Sequence, residues 1–243
     1  MTTKAELLKR SEYKTSMISA HAAAEETRRF FVKVYAWMFI GLGISAATAY
    51  FAATEPAIYT IILGTGLFYV LMIVELGLVF GLALLIKRIP ATLAIIMFLA
   101  YSFFTGLTLS VIFLVYTIES IGLTFFIAAA MFGIMSVYGY VTKTDLTKIG
   151  QILFMALIGI ILASVVNFFL KSGPLDYIIS IIGVIVFTGL TAYDTQKIRE
   201  TNVIGNEGTE EDTKESVIGA LRLYLDFINL FLSLLRLMGK RRE

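Results

Sequence analysis

Apolar residues fill this chain in seven long runs separated by short polar breaks. The runs cover about 31–53, 57–86, 91–116, 120–141, 149–170, 175–198 and 217–237. The breaks are Thr54-Glu-Pro56, Lys87-Arg88, Thr117-Ile-Glu119, the stretch from Lys143 to Lys148, Lys171-Ser-Gly-Pro174 and an acidic segment over 200–215. A helix needs about 20 apolar residues to cross a bilayer, and these runs are of that order. The pattern predicts an all-α polytopic membrane domain of seven transmembrane helices over 31–238, with a polar N-terminal tail over 1–30 and a basic C-terminal tail over 239–243. Most connections are a few residues long, so consecutive helices are expected to be antiparallel neighbours. The segment 200–215 is expected to be mobile and watery.

The last run differs from the others. Arg222, Asp226, Asn229, Ser233 and Arg236 interrupt it at steps of four, three, four and three. At about 100° per residue these side chains form one polar stripe on an apolar helix. In lipid such a stripe turns inward, toward other helices or water. Asp226 lies roughly 15 Å into the run, where an ionisable group costs several kcal/mol unless it is paired, protonated or wetted.

The sixth run ends Val186-Phe-Thr-Gly-Leu-Thr-Ala-Tyr-Asp194, with Thr188, Thr191 and Thr195 on or beside the face of Asp194. Asp226 enters from the same side on the next helix, so a hairpin can bring the two carboxyls to one depth. Two carboxyls at short range in low dielectric cannot both ionise cheaply and would share a proton. They also offer hard oxygen ligands of the kind calcium takes, here transiently. The alternative is that each pairs with a basic group, such as Asp226 with Arg222 one turn away, and holds helices together. Glu75 lies deep in the second run, where an acid by default marks an ion or proton path; a protonated Glu bonded to a carbonyl is the other reading. Asn167 and Gln151 read as interhelical glue, and Trp37, Tyr35, Tyr59 and Tyr177 as interface anchors. Gly41, Gly43, Ser45, Ala46, Gly77, Gly81, Ala128–Ala130 and Gly133 read as packing positions for close helix contact.

Composition narrows the chemistry. Of 243 residues, 58% are hydrophobic, and the mean hydropathy is +0.85, which calls for lipid as solvent. There is no cysteine and a single His21 in the polar tail, which excludes disulfides, thiolate metal sites and an intramembrane His site. No phosphate-binding Gly loop, Ser/His/Asp set or zinc motif occurs, and nothing points to nucleic acid. A membrane aspartyl protease would use two intramembrane Asp residues, but its second motif needs Gly-x-Gly before the Asp, where Tyr224-Leu225 precedes Asp226. The chain therefore reads as no enzyme, with the bilayer as its evident partner. The first thirty residues are too polar for a cleavable signal, so the first span is expected to act as its own insertion signal.

Net charge is only +2, but its distribution alternates. Lys4, Lys9, Arg10, Lys14, Arg28 and Arg29 precede the first run; Lys87 and Arg88, then Lys143 and Lys148, then Lys197, Arg199 and Lys214 follow on the same side. The other side carries Lys171 in the connections. This places the N-terminus in the cytoplasm. Lys240-Arg-Arg242 then falls outside, against the rule, unless the last run doubles back. Seven crossings are expected because that run is full length.

Two stretches carry a family resemblance. Phe187-Thr-Gly-Leu-Thr-Ala-Tyr-Asp-Thr-Gln-Lys-Ile198 and Leu223-Tyr-Leu-Asp-Phe-Ile-Asn-Leu-Phe231 resemble the signature and closing spans of the Bax inhibitor family. Val34-Tyr-Ala-Trp-Met-Phe-Ile-Gly-Leu-Gly43 is similar to its bacterial members. The resemblance implies a bundle around a central last helix in a bacterial cytoplasmic membrane. It implies a pH-sensitive calcium leak, with calcium as permeant ion and no cofactor, and a di-aspartyl sensor at Asp194 and Asp226. It implies a second-span acid, matched by Glu75, and a basic latch near the end of that span. Counting from Glu75 lands on Ile86, so Lys87 and Arg88 just beyond are the candidates for the latch. The family also includes regulators of cell death and of membrane proteolysis, so a non-conducting partner of other membrane proteins is the alternative function.

Overall fold

The computed structural model describes the backbone of residues 4–242 and the side chains of Ser19 and of 21–242. Its helices are α1 (Lys4–Thr54), α2 (Pro56–Gly64), α3 (Leu67–Leu85), α4 (Ala91–Val115), α5 (Ile118–Val141), α6 (Thr147–Leu170), α7 (Gly173–Thr201) and α8 (Glu210–Met238). Among the described residues seven are long and apolar enough to cross a membrane, α2 being the short exception.

Two expected boundaries move. The polar stretch before residue 30 does not separate from the first span, because Ala22-Ala-Ala-Glu-Glu26 are strong helix formers and no Gly or Pro intervenes before Gly41. The second run, expected as one helix over 57–86, is broken instead. Thr65 Oγ1 bonds back to the Ile61 carbonyl at 2.6 Å, and Gly66 takes the left-handed φ of 73°, which a residue with a Cβ adopts at a cost. Pro56 opens α2, where its missing N–H is not needed.

The bundle is built around α8, the most buried of the spans, which packs against α1, α4, α5 and α7. Val217, Ala220, Leu223, Tyr224, Phe227 and Leu230 carry that contact. Tyr224 meets Phe98 and Tyr101 edge-on at 6.0 and 5.6 Å, and Phe227 meets Phe132 at 5.6 Å, arrangements that add about 0.5–1.5 kcal/mol each beyond area burial. The outermost helices are α3, seated on α4, and α6, seated on α7.

Only some of the small residues serve packing. Gly41 sits under Phe98 and Ser102, and Gly81 under Met97, whereas Gly43, Gly77 and Gly133 face open space. The tightest approach is Gly139 of α5 against the Ala192 backbone of α7. Gly139→Ala forces two helix backbones apart and should cost about 1–3 kcal/mol. Gly133→Ala on the same helix meets nothing within 4 Å and should gain about 0.5–1 kcal/mol from helix propensity. Melting temperatures of the two variants in detergent should therefore move in opposite directions.

On the face near the start of the first span, the α7–α8 connection is shorter and better held than expected. It spans 202–209. Arg29 forks onto Glu207 at 2.8 and 2.9 Å, Lys33 reaches the buried Asp212 at 2.6 Å, and the Gly205 N–H donates to Glu26 at 2.7 Å. The hydrogen bond from Arg29, and then its charge and that of Lys33, hold the Glu207 carboxyl below its usual range. On the opposite face Tyr116 and Arg241 form an antiparallel bridge, with Thr117 N–H donating to the Lys240 carbonyl at 3.0 Å and Arg242 N–H to that of Val115 at 2.9 Å. The two ends of α8 thus lie on opposite faces, and the last helix crosses rather than doubling back.

Candidate functional site

The α8 stripe lines a cavity of about 1060 Å³ between α3, α6, α7 and α8. All five of its members, Arg222, Asp226, Asn229, Ser233 and Arg236, contribute to the wall, and so does Asp194. The stripe is legible in the sequence because a helix places residues three and four apart on one side. Asp194 arrives because α7 and α8 are joined by a short connection and pack along their length.

Asp226 is buried and Asp194 half-buried. Their carboxyls face one another within hydrogen-bonding reach, with the charge of Arg222 acting on both. Oδ2 of Asp226 is buried and meets no donor among the described residues. Ionised carboxylates only accept hydrogen bonds, so neither acid can donate to the other while both are ionised. Toward the opposite face, Asn229 donates to the Leu225 carbonyl at 2.8 Å and Ser233 to that of Asn229 at 2.7 Å. Arg236 stands at the limit of an ion pair with Asp176, at 4.0 Å. Thr191 is buried and donates to the Phe187 carbonyl of its own helix at 2.7 Å.

Lys87 and Arg88 are exposed in the α3–α4 turn and are not among the residues lining the cavity. The basic side chain beside the carboxyl pair is Arg222, from α8 itself.

Glu75 sits elsewhere. It accepts from Thr108 Oγ1 at 2.9 Å and Thr105 Oγ1 at 3.3 Å, both on α4, and is not among the cavity residues although Met72 and Leu76 are. Beyond it lies a buried hydroxyl cluster that the sequence reading did not identify. The Tyr224 hydroxyl and Ser45 Oγ are 2.6 Å apart, and Ser45 donates to the Ser102 carbonyl at 2.7 Å. The available signal was the spacing of Ser102, Thr105 and Thr108, which gives α4 its own polar face.

Among the described residues no three His, Asp or Glu side chains converge on a metal site. Calcium takes six to eight oxygens, so the Asp pair could touch a passing hydrated ion but does not form a closed cage. At the end of α7, Gln196 bonds the Thr144 carbonyl and the Leu146 N–H, each at 2.8 Å, while Arg199 donates to the carbonyls of Tyr140 and Thr142. These polar residues tie off the α5–α6 connection.

The family described as "Inhibitor of apoptosis-promoting Bax1" matches residues 27–243. The chain belongs to the Bax inhibitor family. Among its relatives, the "Inner membrane protein YbhL" of Escherichia coli (strain K12) is 50% identical over 215 residues, covering 88% of this chain and 92% of the relative. A protein of Borreliella burgdorferi is 48% identical over 216 residues, covering 88% and 93%, and one of Rickettsia prowazekii is 43% identical over 220 residues, covering 90% and 92%. The family match takes in both stretches around Asp194 and Asp226. With its seven apolar helices, this Bax inhibitor family chain is an integral membrane protein.

Proposed function

We propose that the protein is a pH-sensitive cation leak, with calcium as the ion the family resemblance implies, gated where Asp194 and Asp226 meet. The observation that supports this reading is the pair itself: two facing carboxyls at one end of a cavity, one oxygen without a donor, beside a single guanidinium. When both acids are ionised they hold Arg222 between α7 and α8, and the cavity is shut at that end. Adding a proton removes one charge, weakens the grip on Arg222 and opens the path, so leak rises as pH falls. Purified protein in calcium-loaded liposomes should release calcium faster than protein-free liposomes, and faster at mildly acid than at mildly alkaline pH. No release at either pH would leave a non-conducting regulatory protein as the better account.

Glu75 enters this reading as an anchor between α3 and α4. Glu75→Gln keeps one acceptor oxygen for the nearer hydroxyl, that of Thr108, and turns the other into a donor; it should leave the flux and its pH profile unchanged. A large loss of flux would put Glu75 on the ion path instead.

The N-terminus is assigned to the cytoplasm from the Lys/Arg alternation. A cysteine in place of Lys240 should react with an impermeant thiol reagent added outside intact cells. Protection from outside, with reaction after the cells are opened, would reverse the assignment.

A further inference from the structure

The charged residues of the cavity that holds the Asp pair lie on its α7 and α8 side only. The walls from α3 and α6 include Met72, Ile73, Leu76, Phe154, Ile161 and Val165, and all six are exposed. They are exposed because α3 is seated on α4 and α6 on α7, with little contact between α3 and α6 themselves. One ring contact does bridge these helices, Tyr69 with Phe168 at 6.2 Å, near the end of each on the Arg236 side. Below that contact the cleft opens sideways, toward the acyl chains of the bilayer.

The charges along the cleft are unevenly committed. The charge of Arg222 acts on the two carboxyls. Ser233 directs its donor, and Asn229 one of its two, to the α8 backbone. Arg236 is 39% exposed, and its one ion pair among the described residues, to Asp176, is 4.0 Å long. A guanidinium has five N–H donors in a fork that suits phosphate. A cavity of about 1060 Å³, mainly apolar with a few placed polar groups, has the character of a ligand pocket.

We propose that this cleft seats one acyl chain of an anionic phospholipid, with its phosphate on Arg236 and its second chain outside the opening between α3 and α6. A zwitterionic lipid brings its own cation to the same phosphate and competes with Arg236, so the site discriminates by charge. A seated chain excludes water between the Arg236 mouth and the Asp pair, which makes the lipid a plug. The proposal goes beyond the leak reading and does not require it, since lipid can be held whether or not ions pass.

The test is native mass spectrometry of the full chain, extracted from vesicles of equal parts phosphatidylglycerol and phosphatidylcholine. Wild type should retain phosphatidylglycerol in preference by about tenfold, the worth of one charge-assisted contact. Arg236→Gln should bring the two lipids to parity. Ser164→Trp, which fills the cleft from α6, should lower retention of both. Asp176→Asn frees Arg236 further and should raise retention of phosphatidylglycerol, which keeps the test decisive if Arg236→Gln fails to fold. Equal retention of the two lipids by wild type, an unchanged preference in Arg236→Gln, or unchanged retention in Ser164→Trp would overturn the proposal. So would the absence of any retained lipid, which would point to a water-filled cleft or one covered by a second copy of the chain.

Discussion

Arg222→Met is expected to leave the leak open at mildly alkaline pH, where the wild type is shut. Arg222 is the cation acting on both Asp194 and Asp226. Without that charge the pair holds its proton more readily, so the midpoint of the flux profile should move to higher pH. The proposed shut state also loses the attraction between Arg222 and the acids, which acts in the same direction. Arg222→Lys keeps the charge but not the fork and should fall between the two. Calcium flux from liposomes as a function of pH is the measurement. A midpoint unmoved in Arg222→Met would mean that another group supplies the counter-charge, and Lys87 and Arg88 would return as candidates.

How much of this could be read before the structure depended on how local each cause was. The spans were legible because lipid demands long apolar runs, and the stripe from Arg222 to Arg236 because helical period alone puts those residues on one side. The break between α2 and α3 was hidden, since Gly64-Thr-Gly66 sits in an otherwise continuous apolar run and only the left-handed φ of Gly66 exposes it. The acidic segment looked mobile because its partners, Glu26, Arg29 and Lys33, lie about 180 residues earlier in the chain. Glu75 is an acid in the middle of α3. Which way it points depends on the rotation of α3 about its axis, and that is fixed by Thr105 and Thr108 on a different helix. For the same reason spacing left Asp226 with two possible partners. The structure brings both to it, Asp194 from α7 and Arg222 from its own helix, and the switch proposed here needs the two together.

The larger effect belongs to the carboxyl pair. Losing its shared proton sets two negative charges together. At about 4 Å and an effective dielectric near 20 their repulsion is on the order of 4 kcal/mol, enough to shift a two-state helix arrangement by roughly a thousandfold. Asp194→Asn and Asp226→Asn each leave one acid with no second charge to repel, so neither variant can switch as the pair does. Calcium flux measured from mildly acid to mildly alkaline pH for wild type, both single variants and the double variant tests this directly. A shared-proton switch gives a steep wild-type profile, flat profiles in both single variants, and a double variant that adds little because the pair acts as one unit. A wild-type pH profile in either single variant, or effects that simply add in the double variant, would contradict it.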